Sequence, residues 1–205
     1  MSNPSAPKPG CLIMAAGNAS RFGENKLFAP FRGRPLLELA LLAVPQALFS
    51  RVTVVSQYDR ALALARDFGF EAVLNPAPEL GVSRTICLGT AAMKTCDAIL
   101  YMVADQPLLT SNSVHAVVSR WQEEPGCIVG AAHHGRCGNP CIFPKEFFPE
   151  LMQLSGDCGG KRVIRQHEDK LRLVEIPAQE LFDCDTQEAL ETLDALTSKS
   201  SFRAF

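Results

Sequence analysis

Short apolar runs alternate along the chain with segments whose apolar positions recur at helical spacing. The runs are CLIMAA (11–16), RVTVVS (51–56), EAVL (71–74), AILYMVA (98–104), CIVGAA (127–132), CIF (141–143) and LRLVEI (171–176). Several are apolar at nearly every position, as in strands covered on both faces of a parallel sheet. Between them, Pro35 opens LLELALLAV and DRALALARDF stops at Gly69, which places Pro at the start of one helix and Gly just past the end of another. Ser111 and Asn112 are expected to cap a helix carrying Val114, Val117, Val118 and Trp121, and Thr186 to cap QEALETLDAL. The pattern predicts an α/β protein, a three-layer α/β/α sandwich around a mostly parallel, Rossmann-like sheet.

A chain of 205 residues with 47% hydrophobic content can bury one sizeable core. No repeat or linker divides it, so one domain is expected over 11–198, with a Pro- and Ser-rich flexible lead-in at 1–10 and a frayed tail at 199–205. Its 20 cationic and 22 anionic side chains give a net charge of −2, which argues against a nucleic-acid binder working through a basic face. No apolar run approaches the roughly 20 residues that span a bilayer, and the N-terminus lacks the apolar core of a secretory signal. A cytoplasmic protein with no membrane partner is expected. The 8 cysteines are then reduced thiols, and Cys11, Cys87, Cys96, Cys127 and Cys141 lie in apolar contexts where a thiol packs as a small hydrophobe.

Candidate chemistry begins where the first apolar run meets a turn, in CLIMAAGNASRFGENK (11–26). Small residues at Ala15, Ala16, Gly17 and Ala19, with Asn18 and Ser20 between and after them, let the backbone approach an anion. Successive N–H groups in such a turn form a concavity for it. Arg21 and Lys26 add full charge. The spacing is neither GxGxxG nor GxxxxGK[ST]. Arg21, Lys26, Arg32 and Arg34 face only Glu24 in this stretch, making one local positive patch in a near-neutral chain.

Asp105 follows AILYMVA in the sequence ADQPL, at the carboxyl end of a strand where open parallel sheets bind ligands. A carboxylate near a triphosphate is suited to Mg²⁺. Asp183 and Asp185, in FDCDTQEAL, alternate along an extended segment and can share a metal with Asp105, or cap the following helix. NPAPELGVSRT (75–85) brings Asn75, Gly81, Ser83 and Thr85 to a helix start, where an anion or a base edge is favoured. CGNPCIFP, with Asn139, and LSGDCGGKRVIRQH, with Asp157, Gly159, Gly160 and Lys161, read as further polar turns. The second of these resembles another phosphate site or an ordinary Gly-rich connection. His133 and His134 beside Cys127, Cys137 and Cys141 invite a zinc reading, yet their spacing fits no established zinc pattern. There is no GxSxG and no HExxH.

These motifs together resemble a family. MAAGNASRFGENKLFAPFRGRPLL is similar to the nucleotidyltransferase signature LAAGxGxRFGxxKxxxPxxGxPLL, and VADQP to the metal-binding strand end of the molybdenum cofactor nucleotidyltransferases. GVSRTI, CGNPCIF, SGDCGGKR and DCDTQEAL continue the resemblance, in order, to about residue 195. The nearest pattern is that of the MobA-like molybdenum cofactor cytidylyltransferases, of the nucleotide-diphospho-sugar transferase fold. These transfer CMP from CTP to the terminal phosphate of molybdopterin and release pyrophosphate. Guanylyltransferase relatives usually carry LAGG where this chain has MAAG, so the resemblance favours cytosine.

The resemblance implies that residues 15–21 hold the nucleotide with Arg21 and Lys26 on its phosphates, and that Asp105 and Asp185 ligate Mg²⁺. It places Asn75 and Ser83 near the base or ribose, and Asn139 with Asp157 to Lys161 at the acceptor. Ala19, Arg84 and Gln187 depart from the family pattern, and Arg84 bears on acceptor identity. Arg21, Lys26 and Asp105 would carry catalysis by in-line transfer through positioning and electrostatics. Two alternatives share the sequence: a cytidylyl- or uridylyltransferase acting on a sugar or polyol phosphate, and a carrier of the finished cofactor to a molybdenum hydroxylase.

Overall fold

The computed structural model describes residues 7–17 and 25–200, the last five of these by backbone alone. Within them, strand β1 (Gly10–Met14) leads to a small hairpin of β2 (Pro30–Phe31) and β3 (Arg34–Pro35), then helix α1 (Leu36–Leu42). Next come β4 (Arg51–Ser56), α2 (Asp59–Asp67), β5 (Glu71–Leu74), α3 (Val82–Ala92), β6 (Ala98–Val103) and α4 (Ser111–Glu123). The chain continues through β7 (Ile128–His133), β8 (Arg136–Pro144), α5 (Phe148–Met152), α6 (Lys161–Gln166), β9 (Leu171–Glu175) and α7 (Gln187–Ser200).

Seven strands form one sheet in the order β5-β4-β1-β6-β8-β7-β9. Every pairing is parallel except those of β8, which runs against both β6 and β7. The order reverses at β1: the chain steps outward through β4 and β5, then returns to place β6 on the other side. Such a switch point opens a crevice beyond the strands' carboxyl ends.

Alternation along the central strands builds the two cores. Cys11 and Ile13 of β1, with Leu100 and Met102 of β6, face one layer containing Leu37 and Leu41 of α1, Ala61 and Ala65 of α2, and Val117 and Trp121 of α4. Leu12, Ile99 and Tyr101 face the opposite layer, with Ile86 of α3, Leu151 of α5 and Val163 of α6. Helix α3 approaches β1 closely at Gly89, where a Cβ would lie 2.4 Å from Leu12 Cδ1. A smaller cluster of Phe31, Leu36, Cys184, Leu190 and Leu193 seats α7 on the hairpin side.

The helix and strand positions follow the hydrophobic pattern, with three differences. Thr110, not Ser111 or Asn112, caps α4: its Oγ1 accepts from Ser113 N at 3.2 Å, and its own N–H and hydroxyl both donate to the buried Glu180 carboxylate at 2.9 Å. The strand expected at CIF begins earlier, at Arg136, and takes in CGNP as a bulge, because Arg136 and Cys137 also pair with β7. The expected lead-in ends early: Gly10 already pairs with Arg51 and Ile99, and Pro9 O accepts from Ser50 N at 2.9 Å. Thr186 does cap α7, accepting from Ala189 N at 3.1 Å. Among the described residues no helix is long and apolar enough to cross a membrane.

Candidate active site

The carboxyl ends of β1 and β6 open into a cleft of about 430 Å³, lined by Met14 to Gly17 on one side and by Val103, Ala104 and Asp105 on the other. Pro78, Glu79, Gly81, Val82 and Thr85 close it from the α3 side, with Lys26 and Asp157 at its rim. The segment after β1 is anchored through its carbonyls. Ala15 O accepts from Ser56 Oγ at 2.7 Å, Ala16 O from Gln57 Nε2 at 2.8 Å and Gly17 O from Tyr58 Oη at 3.4 Å. Three consecutive residues, the last of β4 and the two that follow it, thus hold three consecutive residues after β1. Asn18, Ala19, Ser20 and Arg21 lie outside the described residues.

Lys26 links two acids that are far apart in sequence. Its Nζ donates to Asp105 Oδ2 at 2.7 Å and to Asp185 Oδ1 at 3.0 Å. Asn25 prepares this position by accepting from Leu27 N at 3.1 Å, which starts the short turn carrying Lys26. Asp185 reaches the cleft because Cys184 N donates to Asp105 O at 2.9 Å, pinning the segment before α7 to the end of β6. Burial lowers the proton affinity of Lys26, but the Asp105 charge, aided by Asp185, outweighs it and leaves the ammonium more firmly protonated than an ordinary lysine. Asp183 is pushed the other way. Burial first, then the Asp105 charge, raises its carboxyl above the usual range, while a 2.9 Å hydrogen bond from Gln106 Nε2 partly offsets them.

Asp105 Oδ1 is buried and has no hydrogen-bond partner among the described residues. Two carboxylates, one with such an orphaned oxygen, suit a hard divalent ion that takes its other ligands from phosphate oxygens and water. Among the described residues no group of three or more His, Cys, Asp or Glu side chains could hold a metal unaided. The zinc reading of the His133 region therefore finds no cluster there. His133 Nδ1 lies 3.2 Å from Ile176 O, and the His134 and Gly135 N–H groups donate to the Glu175 carboxylate.

Other expectations move. The positive patch is dispersed: Lys26 sits between acids, Arg32 pairs with Asp194 and Arg34 with Glu38. Asn75 and Ser83 do not line the cleft, because the loop consumes them. Asn75 Nδ2 donates to Thr85 Oγ1 at 3.2 Å and its Oδ1 accepts from Ala77 N at 3.1 Å, while Ser83 Oγ donates to Leu80 O at 3.4 Å. Thr85 and Glu79 line it instead. Gln106, which steadies Asp183, was also missed, though it directly follows Asp105 in ADQPL. Arg84 lines neither this cleft nor its neighbour, and its Nε is buried without a hydrogen-bond partner among the described residues.

Of the expected acceptor residues, Asp157 belongs to the cleft, whereas Asn139, Gly159, Gly160 and Lys161 line an adjoining chamber of about 160 Å³ with Tyr101 and Phe143. Met14, Val82 and Val103 form the wall common to both spaces. The loops meet where Gly81, at φ 85°, passes Gly156: a Cβ on Gly81 would lie 2.4 Å from the Gly156 carbonyl carbon and 2.7 Å from Asp157 Oδ1. Ser83 N donates to Gly156 O at 3.2 Å in the same junction. Gly81→Ala is therefore expected to cost roughly 1–3 kcal/mol from overpacking and left-handed strain. Urea unfolding checks the loss; an unchanged midpoint would mean the junction is loose.

A seven-stranded, mostly parallel sheet in this order, with its cleft at the switch point, has the nucleotide-diphospho-sugar transferase fold. Rv0371c from Mycobacterium tuberculosis superposes with a TM-score of 0.78 at 21% identity, covering 92% of this chain and 98% of that one. A structure of Rv0371c described as a complex with manganese gives 0.74 at 20% identity, covering 91% and 97%. The chain belongs to the MobA-like NTP transferase domain family, whose profile matches residues 11–171.

Three curated relatives carry different names. The chain is 28% identical over 196 residues to the nicotine blue oxidoreductase of Paenarthrobacter nicotinovorans, spanning 90% of this chain and 91% of that protein. It is 29% identical over 122 residues to a probable molybdenum cofactor guanylyltransferase of Thermococcus kodakarensis, spanning 57% and 56%. It is 26% identical over 133 residues to the 2-C-methyl-D-erythritol 4-phosphate cytidylyltransferase of Lachnoclostridium phytofermentans, spanning 61% and 57%.

Proposed function

We propose that this nucleotidyltransferase family member is a molybdenum cofactor cytidylyltransferase, moving CMP from CTP to the terminal phosphate of molybdopterin. The carrying observation is the convergence of Asp105 and Asp185 on one amine at the mouth of the cleft, with Asp105 Oδ1 buried and unpartnered. Asp105 and Asp185 would hold a Mg²⁺ ion, which would supply neutralisation of phosphate charge. The manganese complex of Rv0371c lends support to a divalent ion.

The chain's own residues do the rest by position and charge. With the carbonyls of Ala15, Ala16 and Gly17 engaged by Ser56, Gln57 and Tyr58, and the Ala15 amide donating to Val55 O at 2.9 Å, the amides of Ala16 and Gly17 remain for nucleotide phosphates. Arg21 and Lys26 serve the pyrophosphate leaving group, Lys26 leaving the carboxylates for phosphate oxygens as the substrate arrives. The acceptor's phosphate oxygen attacks the α-phosphorus in line, and the bond to pyrophosphate breaks. An ionised phosphate needs no strong general base. Asn139, Gly159, Gly160 and Lys161 receive the acceptor in the adjoining chamber.

A second reading is favoured by the size of that chamber and by the erythritol-phosphate relative: a smaller sugar or polyol phosphate would fill about 160 Å³ more closely. The test is pyrophosphate release with Mg²⁺ and molybdenum-loaded molybdopterin, comparing CTP, GTP, ATP and UTP, with a polyol phosphate in parallel. Release with CTP and molybdopterin alone is expected. Preference for GTP would overturn the base, and release only with the polyol phosphate would overturn the acceptor. No release under any condition would favour a carrier serving a molybdenum hydroxylase.

A further inference from the structure

Cys137 and Cys141 are four residues apart on β8, so a regular strand would hold their Cα atoms about 13 Å apart. Their Sγ atoms are instead 3.7 Å apart. The register explains this: Gly130 of β7 lies opposite Cys141 and Ala132 opposite Cys137, so four steps along β8 match two along β7. Residues 138–140 stand against the single Ala131, a surplus of two, and the bulge they form brings the two thiols together. Gly130 makes the room, since a Cβ there would stand 2.4 Å from Cys137 Sγ and 3.2 Å from Cys141 Sγ.

Both thiols line the 160 Å³ chamber, beside Lys161. All 8 cysteines are free thiols, and no other thiol pair among the described residues is recorded in contact. The two differ in character. A hydrogen bond from Cys141 lowers the proton affinity of Cys137, burial opposes it, and the Lys161 charge lowers it further. Cys141 is buried and held well above the ordinary thiol range, first by its contact with Cys137. One sulfur is thus set up to react and the other to follow.

We propose that Cys137 and Cys141 form a peroxide-reactive dithiol that closes to an intrachain disulfide inside the second chamber. The small volume selects a small oxidant, a hydroperoxide, over a bulky disulfide such as oxidised glutathione. Cys137 thiolate attacks one peroxide oxygen, the O–O bond breaks, and the leaving oxygen takes a proton to become water or an alcohol. The resulting Cys137 sulfenic acid is attacked by Cys141 sulfur; the S–O bond breaks and the hydroxyl leaves as water with the Cys141 proton. Two electrons pass from the two sulfurs to the peroxide. Closure ties the ends of the 138–140 bulge, which carries Asn139, so its effect on acceptor binding rests on the function proposed above, while the oxidation itself does not.

Trypsin cuts after Arg136 and Lys145, so one peptide, CGNPCIFPK, holds both sulfurs. The full chain, treated with a stoichiometric amount of hydrogen peroxide and blocked with an alkylating agent, is expected to yield this peptide unalkylated and lighter by two hydrogen atoms. Cys87 and Cys158, also partly exposed, should remain alkylated. In Cys141→Ser, Cys137 should stop at the sulfenic acid and be trapped by dimedone. Both thiols remaining alkylatable, oxidation of Cys87 or Cys158 ahead of this pair, or conversion of Cys137 straight to sulfinic acid in the intact chain would each overturn the proposal. None of these readouts depends on transferase activity.

Discussion

Asp105→Asn is expected to lower pyrophosphate release by at least ~10²-fold, the range seen when one preorganised electrostatic group is removed from a reaction centre. The substitution keeps size and packing. It removes the negative charge that meets Lys26 at 2.7 Å and leaves one neutral amide oxygen where the carboxylate, with its orphaned Oδ1, would face a divalent ion. The backbone of this residue is also structural, since Asp105 O receives Cys184 N, but an amide side chain leaves that contact alone. The fold should therefore persist, as checked by circular dichroism, while turnover falls even at saturating Mg²⁺. Activity near that of the unaltered protein would remove Asp105 from the proposed reaction.

Lys26→Met should separate the resting role of this lysine from its role in transfer. Without the ammonium, Asp105 and Asp185 face each other beside Asp183 with nothing between them. A loss of roughly 1–3 kcal/mol is expected, less than for a fully buried pair because the Asp185 side chain is 66% exposed. At roughly 2–4 °C per kcal/mol for a chain of this size, a thermal melt resolves it. Mn²⁺ should then raise the melting temperature more in Lys26→Met than in the unaltered protein, because the ion no longer competes with an amine. Equal shifts would mean that the carboxylates are not the ion's site.

The pH dependence of this difference has a definite sign. Lys26 holds its proton more tightly folded than unfolded, so the stabilisation is fully present below the ordinary lysine value and is lost as pH rises through the higher folded one. The gap between Lys26→Met and the unaltered protein should stay level across neutral pH and narrow only in strongly alkaline solution.

Local pattern carried the regular elements far. Runs such as CLIMAA and AILYMVA are apolar on both faces and have no stable place outside a covered sheet, and Thr186 can reach the N–H three residues on without help from tertiary structure. Only the CIF part of β8 was legible, because Gly138, Asn139 and Pro140 are turn formers; they bulge within the strand, and pairing with β7 on either side of them carries it back to Arg136. Thr110 was passed over for Ser111 because the deciding partner, Glu180, is 70 residues away.

The same division runs through the candidate site. Asp105 stood out because it sits where an apolar run meets a polar turn, and Asp185 because it alternates with Asp183 directly before a helix. The loop contacts of Asn75 and Ser83 were not legible, because a small polar side chain beside a helix start serves the loop as readily as a ligand, and only the tertiary structure gives the hydrogen bonds to Thr85, Ala77 and Leu80.

The sequence by itself determined the sandwich, its strand and helix positions and the acids at its strand ends, since periodicity, capping and turn chemistry act over a few residues. Tertiary structure alone decided which charges meet. Lys26 finds Asp105 79 residues away and Asp185 159 residues away, and Cys137 meets Cys141 through a register shift imposed by the neighbouring strand. Charge pairing and thiol contact depend on distances of a few ångströms between segments, and only chain closure around the core sets those.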